Sequence, residues 1–244
     1  MTKRTEKDKQ ALLDQLAQHE LSRRKFLRFS GVAGASAVVL GSMGLTSCRD
    51  DDGTVDDVNL GSGDIGILNY AYALEQLEAA FYTQVVATGS FTTAFSPLEQ
   101  EYLKDIRDHE IAHREFFKAA LGTSAIQNLE VNFSSIDFSN RMSVLNAAKT
   151  FEDLGVAAYN GAGKLIASAD YLTLAGKIVS VEARHAALIR DLLSNGSFSD
   201  LTSLTAFGAN NANGLDGALM PAQVLPLAAP YIKTRLNASN LPTS

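Results

Sequence analysis

Two stretches decide the fold: Glu110-Ile111-Ala112-His113 and Glu182-Ala183-Arg184-His185. Each is a Glu-x-x-His, and on a helix that spacing puts both side chains on one face, one turn apart. Upstream of each lies a second repeated unit, a Glu followed seven residues later by a Tyr: Glu75…Tyr82 and Glu152…Tyr159. The chain order is therefore Glu, Glu-x-x-His, Glu, Glu-x-x-His, one unit per predicted helix. Four carboxylates and two imidazoles in that arrangement are the donor set with which a four-helix bundle holds two metal ions.

The helices around these units are bounded by readable signals. The first is predicted over 64–87, stopping near Gly89. The second has the clearest start: Ser96-Pro97-Leu98-Glu99 supplies an N-cap serine, a proline at the first helical position and a glutamate to close a capping box. It stops at Leu121-Gly122. The third is predicted from Arg141 to about Ser168, and the fourth from Asp170 to Leu193, ended by Asn195-Gly196. Pro97 is the only proline between Cys48 and Pro221, as four unbroken helices require.

The apolar seams show where the polar residues lie. The second helix reads Leu103, Ile106, Glu110, His113, Phe117, Ala120, and the fourth reads Tyr171, Ala175, Ile178, Glu182, His185, Ile189, Leu192. The first gives Leu68, Ala71, Glu75, Glu78, Tyr82, and the third Leu145, Ala148, Glu152, Gly155, Tyr159. In every helix an acid occupies the stripe that should face the core. A buried carboxylate without a partner is costly, so one such acid implies an ion pair. Four of them, one per helix and each near its helix midpoint, imply a metal centre. The links between the first and second helices and between the third and fourth are short. The nineteen residues 122–140 can span a helix of about 37 Å, which gives one long crossover between the second and third helices.

Four carboxylates balance the charge of two divalent ions, and mixed carboxylate–imidazole ligation suits iron or manganese better than magnesium or calcium. Tyr82 and Tyr159, each two turns from a Glu on the same face, are expected to donate hydrogen bonds that orient the ligands. Glu78 shares the seam where the third helix has Gly155. It is a candidate to replace Glu75, to add a ligand, or to stand beside the ligands, and the matched Glu-to-Tyr spacing favours Glu75 as the ligand. His109 is four residues from His113, a known metal spacing, yet it falls off the seam. It reads as a partly exposed residue or a donor to a ligand. Phe116 and Phe117 read as core.

The first sixty residues carry an address. Ser22-Arg23-Arg24-Lys25-Phe26-Leu27-Arg28 resembles a twin-arginine export motif. The apolar run Val32 to Leu45 that follows is short for a membrane span, and it ends in Leu45-Thr46-Ser47-Cys48, which resembles a bacterial lipobox. That resemblance implies removal of residues 1–47 (His19 among them), a lipid on Cys48 and export of an already folded, metal-loaded protein. Residues 48–63, opening Arg49-Asp50-Asp51-Asp52-Gly53, read as an acidic flexible tether.

Residues 64–195 resemble the ferritin-like superfamily, particularly secreted ferritin-like domain proteins related to desiccation-associated proteins. Leu74-Glu75-Gln76-Leu77-Glu78-Ala79-Ala80-Phe81-Tyr82 looks like the first helix of that group. The resemblance implies an all-α, ferritin-like four-helix bundle. It carries a metal role onto Glu75, Glu110, His113, Glu152, Glu182 and His185. Such proteins include di-iron oxidases, peroxidases, manganese catalases and iron-storage proteins, so the resemblance does not choose the reaction.

Composition bounds the rest. The chain has 244 residues, 46% hydrophobic, with net charge −6. Residues 1–47 hold eight basic and four acidic side chains, leaving 13 basic against 23 acidic in 48–244, a net of −10. An acidic body argues against nucleic acid. The lone cysteine, Cys48, rules out a disulfide framework or a thiolate metal knuckle within the chain. Residues 196–244 read as a C-terminal extension of loop and short helix, with 221–236 helical and kinked by its prolines, packing on the outside of the bundle.

The expectation is thus an exported, lipid-anchored envelope protein, on the periplasmic side or the cell surface. It holds two iron or manganese ions that react with dioxygen or a peroxide, in protection against oxidative or drying stress. Its expected partners are the export machinery, the membrane and a small oxidant; a homodimer is compatible with the sequence. The alternatives are an iron-oxidising storage protein and a non-enzymatic envelope protein whose metal site is structural or lost.

Overall fold

In the computed structural model, residues 57–243 are described. The export motif, the lipobox with Cys48 and the first part of the tether fall outside them. Four long helices dominate: α1 (Gly63–Ala87), α2 (Pro97–Leu121), α3 (Arg141–Gly163) and α4 (Ala169–Leu193). A single helical turn, Phe91–Ala94, sits between α1 and α2. The crossover 122–140 joins α2 to α3, so the molecule is the all-α bundle with one long connection.

Local chemistry sets the helix ends. Ser96 accepts from the Glu99 amide through Oγ while the Ser96 amide donates to Glu99 Oε2 at 2.8 Å, a reciprocal cap on α2. Gly122 ends that helix at a φ of 55°, where a side chain would be strained. Asn140 caps α3 by accepting from the Met142 and Ser143 amides. The third helix was expected to reach Ser168 and stops at Gly163, because Ser168 instead caps α4 by accepting from the Tyr171 amide. Asp64 at the start of α1 accepts from the Ala167 and Ser168 amides, tying this turn to the other hairpin.

The helices are not equally buried. In α1, 17 of 25 residues are buried and in α3, 15 of 23, against six of 25 in each of α2 and α4. The difference arises because the crossover and the C-terminal segment cover the backs of α1 and α3. Asn69 accepts from the Ile126 amide and donates to the Leu60 and Ser124 carbonyls, and Gln76 accepts from the Leu129 amide. These amides satisfy loop backbone that would otherwise be buried unpaired. Phe133 and Phe151 each meet Phe81 edge to face, and Tyr231 packs on Phe151 with centroids 4.7 Å apart. Each such ring contributes about 1.5–3 kcal/mol on burial, so the cluster holds α1, the crossover, α3 and the C-terminal segment together.

The C-terminal segment forms 3-10 turns, then α5 (Pro221–Ala228), a further 3-10 turn and strand β2 (Leu236–Asn237). The helix expected over 221–236 is therefore shorter, since Pro230 and the turn at Ala229–Tyr231 lead into extended chain. Strand β1 (Val58–Asn59) pairs in parallel with β2, Val58 opposite Leu236. Residues 57–60 thus depart from the flexible tether expected over 48–63: they pair with the C-terminal end, and Leu60 is fully buried. Arg190 of α4 makes a two-pronged ion pair with Asp153 of α3 at 2.7 Å and donates to Ser203, so a buried cation ties the extension to the bundle.

Candidate metal centre

The four central turns of the bundle bring Glu75, Glu110, His113, Glu152, Glu182 and His185 together. The four carboxylates are completely buried and His185 nearly so, while His113 is partly buried. Their ligand atoms fall into two overlapping groups, each lying within 4.8 Å: Glu75, Glu110, His113 and Glu182 in one, and Glu110, Glu152, Glu182 and His185 in the other. Glu110 and Glu182 belong to both.

The distances repeat across a pseudo-twofold. His113 Nδ1 lies 2.8 Å from Glu182 Oε1, 3.5 Å from Glu75 Oε2 and 3.6 Å from Glu110 Oε2. His185 Nδ1 lies 2.8 Å from Glu110 Oε1, 3.2 Å from Glu182 Oε2 and 3.5 Å from Glu152 Oε2. Tyr82 of α1 donates to Glu152 Oε1 of α3 at 2.5 Å, and Tyr159 of α3 donates to Glu75 Oε1 of α1. Each tyrosine therefore holds the carboxylate of the opposite helix and leaves the other oxygen, Oε2, turned to the centre.

His185 Nδ1 and Glu182 Oε2 are hydrogen-bonded to each other at 3.2 Å, but six other inward atoms are left without hydrogen bonds. Glu75 Oε2, both oxygens of Glu110, His113 Nδ1, Glu152 Oε2 and Glu182 Oε1 are buried and have no hydrogen-bond partner, though they lie close to one another. Buried polar atoms are almost always paired, and here the approach distances are short while the angles do not suit an N–H donor. A divalent cation fits, because it attracts every one of these atoms without needing a proton between them. The donor set, carboxylate oxygen with imidazole nitrogen and no thiolate, fits iron or manganese.

Ion-free, the cluster must hold protons. Burial, and then the neighbouring Glu182 charge, pushes Glu75 well above the usual carboxylate range, and burial pushes Glu152 up to about 8. Burial also opposes the charge on Glu110, but the close approach of the His113 and His185 imidazoles outweighs it and holds this carboxyl at about 2. Burial disfavours the His113 cation, yet Glu110, Glu182 and Glu75 raise it to about 12; His185 is raised for the same reason, with Glu152 first among its partners. Cations entering the site would displace these protons.

Glu78 is buried, and its ligand atoms are not among the converging groups of the described residues; Glu75 is the α1 carboxylate that joins them. Glu78 faces Gly155 of α3, where a Cβ would come within 3.0 Å of its Oε1, and it borders a small void lined by Leu74, Leu77, Phe151 and Leu154. His109 lies outside both groups, and its Nδ1 is 2.9 Å from Nε2 of His185. Sequence spacing pointed at His113 as its neighbour; only tertiary packing of α2 beside α4 brings it to His185. Phe117 of α2 is buried in the core, as expected, against Tyr159 of α3.

None of the curated proteins matches this chain. The sequence profile of the ferritin-like domain matches residues 63–195, which spans all four long helices and all six converging side chains. With more than half its length covered by that match and the same bundle in its structure, the chain belongs to the ferritin-like domain family.

Proposed function

We propose that the bundle binds two iron or manganese ions and reacts with dioxygen or a peroxide. The observation that carries this reading is the set of six buried, inward-facing ligand atoms that have no hydrogen-bond partner. Glu75 and His113 would complete one metal position and Glu152 and His185 the other, with Glu110 and Glu182 offering one oxygen to each. When bound, a pair of such ions supplies Lewis-acid and redox chemistry towards a small oxidant.

The chain's own residues do the rest. Tyr82 and Tyr159 fix the outer carboxylates by donating to the oxygen that faces away from the centre. The complete burial of the four carboxylates keeps bulk water out and makes each electrostatic contact stronger than it would be at the surface. Glu78, raised well above the usual carboxylate range by burial and by the nearby Glu110 charge, holds a proton on the α1–α3 side of the centre. Among the family's reactions, a peroxidase cycle would draw electrons from an external donor, while disproportionation of peroxide would not.

The setting is part of the same proposal. The stretches that resemble a twin-arginine motif and a lipobox support a setting in the cell envelope, with a lipid on Cys48 as the anchor and protection against oxidative or drying stress as the service. The test is consumption of hydrogen peroxide and of dioxygen by the full chain loaded with Fe(II) or Mn(II), beside a Glu110→Ala/Glu182→Ala variant. Turnover by the wild type and none by the variant supports the reading. A loaded wild type that leaves both oxidants untouched, yet melts lower on chelation, would make the site structural.

A further inference from the structure

The six converging side chains and the two tyrosines are matched between the two halves of the centre; the residues beside them differ, Glu78 against Gly155 on α1 and α3, and His109 against a valine on α2 and α4. Adding 72 to each number carries Glu110 to Glu182 and His113 to His185, and carries His109 to Val181. His185 therefore has an imidazole behind it, whereas the position that matches His109 on α4 is a valine, whose side chain has no hydrogen-bonding group to offer. The rings of His109 and His185 are inclined by only 14° with centroids 5.2 Å apart and Nδ1 of the first 2.9 Å from Nε2 of the second. A face-to-face stack would bring the centroids closer than this, so the rings meet edge to edge, as an N–H···N bond requires.

Tautomer logic gives that bond a direction. Nδ1 of His185 faces Glu110, Glu152 and Glu182. To offer Nδ1 as a lone pair to a cation, the ring must carry its proton on Nε2. That Nε2–H then donates to Nδ1 of His109, and His109, exposed at the surface of α2, keeps its own proton on Nε2. The bond thus fixes the rotation of His185 before any ion arrives, and it keeps the Nε2 proton in place when an ion takes Nδ1. For His113, whose side chain is 14% exposed, the matching position is Val181, whose side chain can offer no such support.

We infer that His109 is a positioning residue that makes the two metal positions unequal, so that the one beside His185 fills first and more tightly. The inference rests on the metal-binding reading above. It predicts a defined single-metal form of the protein, with the His113 position open for the second, more exchangeable ion. Removing an outer partner of a metal-bound histidine typically weakens affinity about 10–100-fold.

The test is titration of the full, metal-free chain with Co(II), read by visible absorption and by metal bound per chain. Two steps of different affinity are expected in the wild type. His109→Phe, which keeps the ring's bulk without an acceptor, should weaken the tighter step about 10–100-fold. His109→Asn, whose amide oxygen takes the place of Nδ1, should restore it to within a few-fold. His113→Ala should keep the tighter step and His185→Ala should lose it. Equal steps in the wild type, a His109→Phe titration indistinguishable from wild type, or loss of the tighter step in His113→Ala would each overturn the inference while leaving the metal centre intact. No cobalt bound in any protein would overturn the metal reading and this inference with it.

Discussion

Tyr82 on α1 donates its phenolic hydrogen to Glu152 on α3, 2.5 Å away, and both groups are completely buried. Burial, together with the adjacent Glu152 charge, pushes the Tyr82 hydroxyl well above its ordinary value, so it remains a donor across the whole working pH range. Tyr82→Phe would leave Glu152 with one oxygen unsatisfied and free to turn. The expected result is weaker loading of the Glu152–His185 position, by about 10–100-fold, with the fold retained. Competition against a calibrated chelator measures it. Unchanged affinity would show that the carboxylate needs no such restraint.

Gly161 tests the seat of the C-terminal segment. A Cβ there would come 1.9 Å from the Leu219 carbonyl oxygen, and Leu219 donates its amide to the Ala157 carbonyl in the same groove of α3. Backbone against backbone cannot yield as a side chain tip can. Gly161→Ala should therefore displace residues 217–220 and cost at least the ~1–3 kcal/mol typical of overpacking. Faster proteolytic trimming after residue 195 and a lower melting temperature would report it. An unaltered proteolytic pattern would place the segment's anchoring elsewhere, with the Arg190–Asp153–Ser203 contact as the remaining candidate.

Glu99 gives a pH dependence with a definite sign. Burial opposes its charge, but the hydrogen bond from Arg141 and those from Ser96 outweigh burial and leave its carboxyl below the ordinary 4.5. A depressed folded-state value stabilises the protein above the unfolded-state value, and that contribution is lost as pH falls through the folded one. The urea midpoint of the wild type should thus exceed that of Glu99→Gln at pH 7. The gap should begin to close below about pH 5 and vanish in stronger acid. A gap independent of pH would mean that the capping geometry, which glutamine can also supply, matters and the charge does not.

Much of this architecture is legible because the chemistry disturbs a regular pattern. Acids in four apolar seams are visible against the period of the helix, and Ser96-Pro97-Leu98-Glu99 marks a helix start in four letters. The six side chains singled out by spacing are the ones the bundle brings together. What escaped has no periodic signature. Two-residue strands 178 positions apart, Val58 and Leu236, carry no pattern that would pair them. Asp153 sits beside a buried glutamate and looks like a surface charge until Arg190 is seen to reach it from α4. His109 reads from the sequence as a partly exposed residue or a partner to a ligand, but that the ligand is His185 on α4 escapes, because helical spacing describes only neighbours on one helix.

The central claim is that these six side chains hold metal. The most direct measurement is the iron and manganese content per chain of the full-length protein after anaerobic reconstitution, beside Glu110→Ala/Glu182→Ala treated identically. The account predicts about two ions per chain in the wild type, because two groups of ligands converge, and a loss of both in the variant, because each group shares both glutamates. A folded wild type that takes up neither metal, or a variant that still holds two, would contradict it.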